Sequence, residues 1–429
     1  MSFETYVISW NLTKRCNLKC SHCYLDAEFL NGTGRDTLST QDCFKIIDQL
    51  AEVNPHAILI LTGGEPLVRE DIYDISSYAE KKGFMVVLGT NGLLLSEKVC
   101  KKLSENGISG IGISLDSITP DYHDQFRGYE GAWQKTVNNI DNIKKAGIDF
   151  QIQMTVTKEN RNQLELMAKF AHEKGARVFN IFFLVCTGRG EDVSDLSAEE
   201  YEETLTQIYH FHDKFEGMMV RPKCAPHFKR ITHEIDPQSP LLKGYVGGCR
   251  AGTNYCRINS EGIVTPCPYM ETETGNLLKD SFKNVWEESP LFLEMRKAKY
   301  SGKCDICDYS LMCGGCRARA LATNGNIMGE DPWCSYLPAL EAKDKVVNIP
   351  TTIQFGLEEV FPEKKNEEIK EVSWHPEAEK MLAKIPFFAR GIAKRGMEDY
   401  AKTEGKTIIT PEDMEFVRKK MTRSFGRKS

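Results

Sequence analysis

Three cysteines stand within eight residues in "RCNLKCSHCY": Cys16, Cys20 and Cys23, separated by three residues and then by two. Thiolates at this density hold a metal centre, and a four-coordinate cluster bound by only three of them keeps one iron open to an outside ligand. A zinc site would want a fourth cysteine or histidine close by, and His22, between two of the cysteines, is poorly placed to complete it. A second field holds eight more in the order Cys249-x6-Cys256-x10-Cys267, Cys304-x2-Cys307-x5-Cys313-x2-Cys316 and Cys334. Eight thiolates equal two complete sites, so the second field can close where the first stays open. Zinc ribbons compete for this field, because "CDIC" alone is a zinc-like knuckle. Four cysteines are singles: Cys43, Cys100, Cys186 and Cys224. Cys43 and Cys100 lie in amphipathic helical patterns and read as small buried hydrophobes.

The elements that must position these thiols are legible as alternating strands and helices. Strand patterns fall at 6–10, 57–62, 84–90, 110–116, 150–156 and 178–185, with helical patterns at 39–53, 70–82, 96–106, 130–146, 161–175 and 197–216. Six βα units over 185 residues predict a parallel sheet, two short of the eight that close a full barrel. The fold class expected is α/β, a curved and partly open barrel over 1–218. The first cysteines follow the first strand, on the face where such barrels keep their chemistry. Across 219–338 periodicity weakens as Cys, Gly and Pro increase. A charged linker is expected at 339–372 and a small helical module at 373–429, with Pro376 near one helix start and Thr410 in "TPEDM" at another.

The chain has 429 residues, 41% hydrophobic, with net charge −6 from 61 acidic and 55 basic residues. That balance advertises neither nucleic acid nor an anionic membrane as partner. No leader pattern and no run of 18 apolar residues is present in the sequence, so a cytoplasmic protein is expected. Fifteen cysteines in a reducing compartment are then no disulfide framework.

The spacing CxxxCxxC in "CNLKCSHC" resembles the signature of radical S-adenosylmethionine (radical SAM) enzymes, and its companions follow the expected strands. "GGEP" follows the second strand, "TNG" the third, "SLD" the fourth, and "FRG" lies just beyond. The resemblance implies a [4Fe–4S] cluster on Cys16, Cys20 and Cys23 whose open iron binds SAM. Reduction of that cluster cleaves SAM to a 5′-deoxyadenosyl radical that abstracts hydrogen from a substrate. It further implies that Gly63, Gly64 and Glu65 receive the SAM ammonium, and that Asn91, Ser114 and Asp116 lie along the cofactor. Arg127 would pair with the methionine carboxylate. His22 occupies the position where the family usually has an aromatic against adenine, with Tyr24 just after.

The second field resembles the SPASM extension of the same family, which carries two auxiliary [4Fe–4S] clusters. By that resemblance Cys249, Cys256, Cys267 and Cys316 hold one, and Cys304, Cys307, Cys313 and Cys334 the other. The gap between Cys313 and Cys316 has two residues where the common pattern has three, which leaves the ligand partition open. Closed clusters most naturally move electrons, with a structural role as the competing reading. A low-potential donor such as ferredoxin or flavodoxin is implied.

Three stretches point to the substrate: "LVCTGRGED" (184–192), "VRPKCAPHFKRI" (220–231) and "CGGCRARALATNG" (313–325). They resemble the radical SAM proteins of haem d1 biosynthesis and of the siroheme-dependent haem pathway, which act on iron tetrapyrroles bearing several carboxylates. Arg189, Arg221 and Arg230 would pair with those carboxylates, and Cys224 or His227 would ligate the substrate iron, against surface or structural roles for each. Residues 374–421 resemble a small helical domain of light-independent protochlorophyllide reductase, a second tetrapyrrole hint. Within the group, acetate removal from 12,18-didecarboxysiroheme to give Fe-coproporphyrin III is the leading expectation. Oxidative decarboxylation of Fe-coproporphyrin III propionates to haem comes next, beside haem d1 side-chain removal. From other classes come a peptide or metalloenzyme maturase and a non-enzymatic iron–sulfur scaffold, which would have no need of "GGEP" and its companions.

Overall fold

The computed structural model describes residues 5–29, 36–185, 187–193, 196–244, 248–339, 372–385, 390, 393–394, 396–398, 400–401 and 404–424. Seven parallel strands pair in sequence order: β1 (Val7–Asn11), β2 (Ile58–Thr62), β3 (Met85–Thr90), β4 (Ile108–Ser114), β5 (Asp149–Val156), β6 (Val178–Phe183) and β7 (Met219–Lys223). The six expected βα units are present and a seventh strand follows. Pro222 lies within it, which is tolerated because β7 is the edge of the sheet. On the opposite edge β8 (Tyr255–Ile258) pairs in parallel with β1. It then turns through a hairpin at Gly262 into antiparallel β9 (Ile263–Thr265) and β10 (Gly275–Asn276). One ten-stranded sheet therefore joins the seven parallel strands to the hairpin that carries Cys256.

The helices between strands are α1 (Thr40–Val53), α2 (Ile72–Lys81), α3 (Glu97–Glu105), α4 (Pro120–Arg127), α5 (Ala132–Lys145), α6 (Leu164–Lys174) and α7 (Ala198–Phe211), and α8 (His227–Ile235) follows β7. Ser39 and Ser197 start α1 and α7 with reciprocal capping boxes to Asp42 and Glu200, which satisfies amides that the first turn leaves unpaired. Helix α4 had no apolar stripe to announce it. Its signals are Pro120 in the first turn and a left-handed Gly128 at its end.

Strand alternation divides the sheet into two chemical faces. On β5, Phe150, Ile152, Met154 and Val156 join the main core with Ile140 and Ile143 of α5. Gln151, Gln153 and Thr155 take the other face. Register carries this division across the sheet, so Ser9, Asn11, Thr62, Gly112, Ser114 and Asn180 share the polar face while Ile8, Trp10, Leu59, Leu61 and Ile181 share the core. Cys43 and Cys100 are fully buried in that core, as small hydrophobes.

The chain divides into two compact units, Met1–Thr351 and Thr352–Ser429. Most of the expected linker lies outside the described residues. In the second unit a two-strand parallel pair, Ser373–Trp374 with Ile408–Ile409, accompanies helices α9 (Pro376–Ala383) and α10 (Pro411–Ser424) over a core of Ala378, Leu382, Tyr400, Ile409 and Met414. The expected cap at Thr410 is there: its amide donates to Asp413 Oδ2 at 2.9 Å, and the Asp413 amide returns to Thr410 Oγ1 at 3.4 Å. Among the described residues no helix is long and apolar enough to cross a membrane.

Leu59 is fully buried on β2, between β1 and β3. Leu59→Ala is expected to cost about 2–5 kcal/mol through lost burial and the cavity left behind, read as a lower urea midpoint of the far-ultraviolet circular dichroism.

Candidate active site

The first cysteine segment has almost no regular structure of its own: Arg15–Cys16 pairs with Glu28–Phe29 and the rest is turn. Backbone from three other loops holds it. The amides of Gly64 and Glu65 donate to the carbonyls of Thr13 and Arg15 at 2.8 and 2.9 Å. A side chain on Gly64 would meet the Arg15 carbonyl oxygen at 2.3 Å. Glycine at "GGEP" is thus required by the chain's own cysteine segment, a reason the sequence did not disclose. From α4, the Phe126 carbonyl accepts the Ser21 amide at 3.1 Å. From the loop after β6, the Arg189 amide donates to the Cys23 carbonyl at 3.1 Å, and a Cβ on Gly188 would lie 2.7 Å from that oxygen. Burial pushes the Cys16 thiol up to about 12 and raises that of Cys20, whereas a bound metal would stabilise their thiolates.

Glu65 is fully buried and accepts from Leu67 N (3.1 Å), Thr90 Oγ1 (2.8 Å) and Asn91 N (2.9 Å). Burial raises its carboxyl to about 7 against the pull of those donors. "GGEP" and "TNG" are therefore one hydrogen-bonded unit, and Asn91 continues it by donating to Asn17 Oδ1 at 2.7 Å.

Asp116 and Arg127 form a buried ion pair. Arg127 Nε and Nη2 each reach Asp116 Oδ2 at 2.7 Å, and Thr155 N donates to the other oxygen at 2.9 Å. Asp116, expected along the cofactor, thus has both oxygens committed to protein partners. The pair holds the carboxyl well below the usual carboxylate range and the guanidinium firmly charged. Arg127 Nη1 points to Cys20 Sγ, 3.8 Å away. His22 stacks on Phe126 with ring centroids 3.9 Å apart, and burial depresses it to about 3, so it presents a neutral flat ring. Tyr24 accepts from Asn11 Nδ2 at 3.1 Å, and Ser114 ends β4 on the polar face.

The second field separates into groups that the spacing did not give. Cys249, Cys267 and Cys224 pack against one buried cluster with Cys316, and their thiols act on one another electrostatically. Cys256 is elsewhere. It pairs with Ile8 in the sheet and is fully buried in the main core, while its neighbours Tyr255 and Arg257 face the polar side. Strand alternation therefore sets Cys256, expected with the Cys249 group, on the core side of the sheet. Cys224 takes its place spatially, with a left-handed backbone (φ 56) that a non-glycine residue adopts only under outside constraint. Cys304, Cys307, Cys313 and Cys334 form the other mutually interacting set. Among the described residues no three His, Cys, Asp or Glu side chains converge on a single-ion point.

Several cations expected at substrate already have protein partners. Arg189 donates from Nε to the Cys20 carbonyl (3.1 Å) and from Nη1 to Asp26 (2.7 Å). Arg230 is buried between Glu202 and Glu234. His227, expected as an iron ligand, has Nδ1 3.1 Å from the Tyr201 hydroxyl and Nε2 3.8 Å from Asp331, so its ring nitrogens face structural partners. Asp331, which no motif flagged, accepts the Cys316 amide at 2.7 Å and binds Arg319 through both oxygens (3.1 and 2.9 Å). Arg319 in turn donates to the Cys224 carbonyl at 2.8 Å, and Arg317 binds the carbonyls of Ile327 and Gly329. Arg221 lies on β7, half-buried. Cys186 lies outside the described residues.

Asp116→Asn is expected to destabilise the protein by about 3–5 kcal/mol at pH 7, because Arg127 is left buried without a counter-charge. The stability that the depressed Asp116 adds is full above its unfolded value and is lost progressively as pH falls from there toward its folded value. The gap from wild type in urea midpoint should therefore shrink as pH falls below about 4.

Residues 10–171 match the radical SAM superfamily, 249–310 an iron–sulfur cluster-binding domain (SPASM), and 374–420 the proto-chlorophyllide reductase 57 kD subunit. The chain is 36% identical over 341 residues to an AdoMet-dependent heme synthase of Methanosarcina barkeri, covering 77% of this chain and 97% of that protein. To an Fe-coproporphyrin III synthase of the same organism it is 31% identical over 354 residues, covering 76% and 87%. The fold is similar to Streptococcus suis SuiB bound to S-adenosylmethionine, with TM-score 0.63, 18% identity and 78% of each chain covered. With its cysteine segment clamped at the strand ends and a thiol-rich extension continuing the same sheet, the chain belongs to the radical SAM superfamily, among its members with a SPASM iron–sulfur domain.

Proposed function

We propose that this chain acts on an iron tetrapyrrole in haem biosynthesis, converting Fe-coproporphyrin III to haem by oxidative decarboxylation of propionate side chains. The observation that carries this reading is the higher similarity to the heme synthase, over nearly that protein's whole length, than to the Fe-coproporphyrin III synthase. The sequence alone put acetate removal from didecarboxysiroheme first. That reading keeps support from the second relative and stands as the alternative.

A [4Fe–4S] cluster with SAM bound supplies the 5′-deoxyadenosyl radical with which such reactions begin. Cys16, Cys20 and Cys23 would hold it. Cys224, Cys249, Cys267 and Cys316 would hold one auxiliary cluster, and Cys304, Cys307, Cys313 and Cys334 the other. A ferredoxin or flavodoxin would deliver the low-potential electron. Arg127, fixed by Asp116, offers a permanently charged guanidinium beside Cys20 for the SAM carboxylate. His22, neutral and braced on Phe126, offers an apolar face for adenine. Glu65 ties the "GGEP" and "TNG" turns together where the SAM ammonium would lie. The polar sheet face, with Gln151, Gln153 and Asn180, gives the substrate a hydrogen-bonding floor.

Anaerobic incubation with SAM, a strong reductant and Fe-coproporphyrin III should yield a pigment that has lost two carboxyl groups, as read by mass spectrometry. An unchanged pigment, with acetate loss from didecarboxysiroheme instead, would move the chain to the alternative. Reconstituted wild-type protein should bind about twelve irons per chain. Cys224→Ala should lose up to about four of them, whereas Cys256→Ala should lose none. The reverse pattern would restore Cys256 as a ligand.

A further inference from the structure

Arg257 is a buried cation with no part in the cofactor contacts or the thiol groups. It follows Cys256 on β8, and alternation turns it to the polar face of the sheet while Cys256 turns into the core. In register it stands between Ser9 of β1 and Thr265 of β9. Its Nε donates to Asn11 Oδ1 at 2.5 Å, and Asn11 Nδ2 donates onward to the Tyr24 hydroxyl at 3.1 Å. Tyr24 follows Cys23, the last thiol of the first segment. On the other side Thr265 Oγ1 donates to the Cys267 carbonyl at 3.1 Å, and the Tyr269 amide reaches the Cys267 thiol at 3.5 Å. Tyr269 closes the circuit, its ring centroid 5.2 Å from that of Tyr24. The guanidinium thus belongs to a ring of contacts that joins the first cysteine segment to the second field. Tyr24, Tyr255 and Tyr269 are half-buried, so the space beside this ring is open to a ligand.

Its counter-charge is unlike those of two other buried arginines at the site. Arg127 and Arg319 face Asp116 and Asp331, fully buried carboxylates at 2.7 and 2.9 Å. Arg257 is only 2% exposed, but its carboxylate partner among the described residues, Glu271, is 75% exposed and reaches Nη1 with one oxygen at 3.4 Å. A solvated carboxylate at that distance compensates a buried charge weakly, because a surface ion pair returns far less than leaving water costs the guanidinium. A ligand carboxylate that leaves water to enter the same space meets a rigid, permanently charged fork and pairs with it through two oxygens. Glu271 lies mostly in water and can swing aside without disturbing the core.

We propose that Arg257 anchors a carboxylate of the substrate on the polar face of the sheet, between the first cysteine segment and Cys267, and that Glu271 keeps the place until the substrate displaces it. The anchor rests on the tetrapyrrole reading for the identity of that carboxylate, a propionate of the macrocycle, but its chemistry requires only a carboxylate ligand. The competing explanation is that Arg257 is a strut between Asn11 and Glu271.

Reconstituted protein is titrated anaerobically with Fe-coproporphyrin III and with its tetramethyl ester, followed through the Soret band. Arg257→Gln should weaken the acid about tenfold and leave the ester unchanged, and Arg257→Lys should recover part of the loss. Glu271→Gln should instead tighten the acid about threefold, because the resident competitor is gone. A strut would not give that opposite sign. Glu271 is exposed, so its variant decides the matter even where Arg257→Gln fails to take up its clusters. The second probe is tricarballylate, a three-carboxylate anion lacking any ring, read as a rise in the melting temperature of the reconstituted protein. Selective weakening of the acid in Arg257→Gln, with tightening in Glu271→Gln, supports the anchor. No porphyrin binding, with a tricarballylate shift that Arg257→Gln abolishes, keeps the anchor and removes the tetrapyrrole reading. Porphyrin that binds as acid and as ester alike, unaffected by either variant, overturns the anchor and leaves the tetrapyrrole reading standing. Absence of both porphyrin binding and a tricarballylate shift overturns both.

Discussion

The constraint on which the site depends is that an irregular segment of about twenty residues must hold three thiols steady without a helix or strand of its own. Its peptide groups are satisfied from outside. Gly64 and Glu65 grip Thr13 and Arg15 behind the first cysteine, the end of α4 grips Ser21, and the loop after β6 grips Cys20 and Cys23. Each grip comes from the carboxyl end of a different strand or the helix after it. Curving the parallel sheet brings those ends together, so the barrel architecture and the cysteine segment specify each other. Contacts at Gly63, Gly64, Gly128 and Gly188 are so close that only glycine fits, and the segment's path is correspondingly narrow.

Two buried ion pairs set the electrostatics around this frame. Asp116 with Arg127 lies beneath the first cysteines, and Asp331 with Arg319 lies beneath the second field. Burying both members of a pair is costly, and such pairs add little net stability over apolar residues of the same shape. What they supply is direction. Arg127 is aimed at Cys20, and Arg319 and Asp331 together hold the Cys224 carbonyl and the Cys316 amide. Arg189 and Arg230 likewise face carboxylates, Asp26 for the first and Glu202 and Glu234 for the second.

Much of the fold was legible because its signals are local. The six βα units follow from the alternation of strand and helix patterns, and the expected cap at Thr410 is a short-range hydrogen bond between residues three apart. Helix α4 was missed because eight residues with little apolar content give no periodic stripe, although Pro120 and Gly128 bracket it. Strand β7 was missed because its charged residues and Pro222 lower the strand signal, and it pairs along one edge only.

The sequence by itself determined the chemistry of the family. Cysteine number and spacing, with "GGEP", "TNG" and "SLD" after successive strands, required one open thiolate site and enough ligands for two closed ones. Only the tertiary structure decided which thiols and cations belong together. Cys256 is seven residues from Cys249 and Cys224 is 25 away, yet Cys224 joins the group while Cys256 turns into the core. Spacing along a chain cannot express this, because a strand sends successive side chains to opposite faces and the sheet then brings distant strand ends together. Charge partnership is equally non-local: packing of α8 against α7 gives Arg230 its carboxylate Glu202, 28 residues away in the chain.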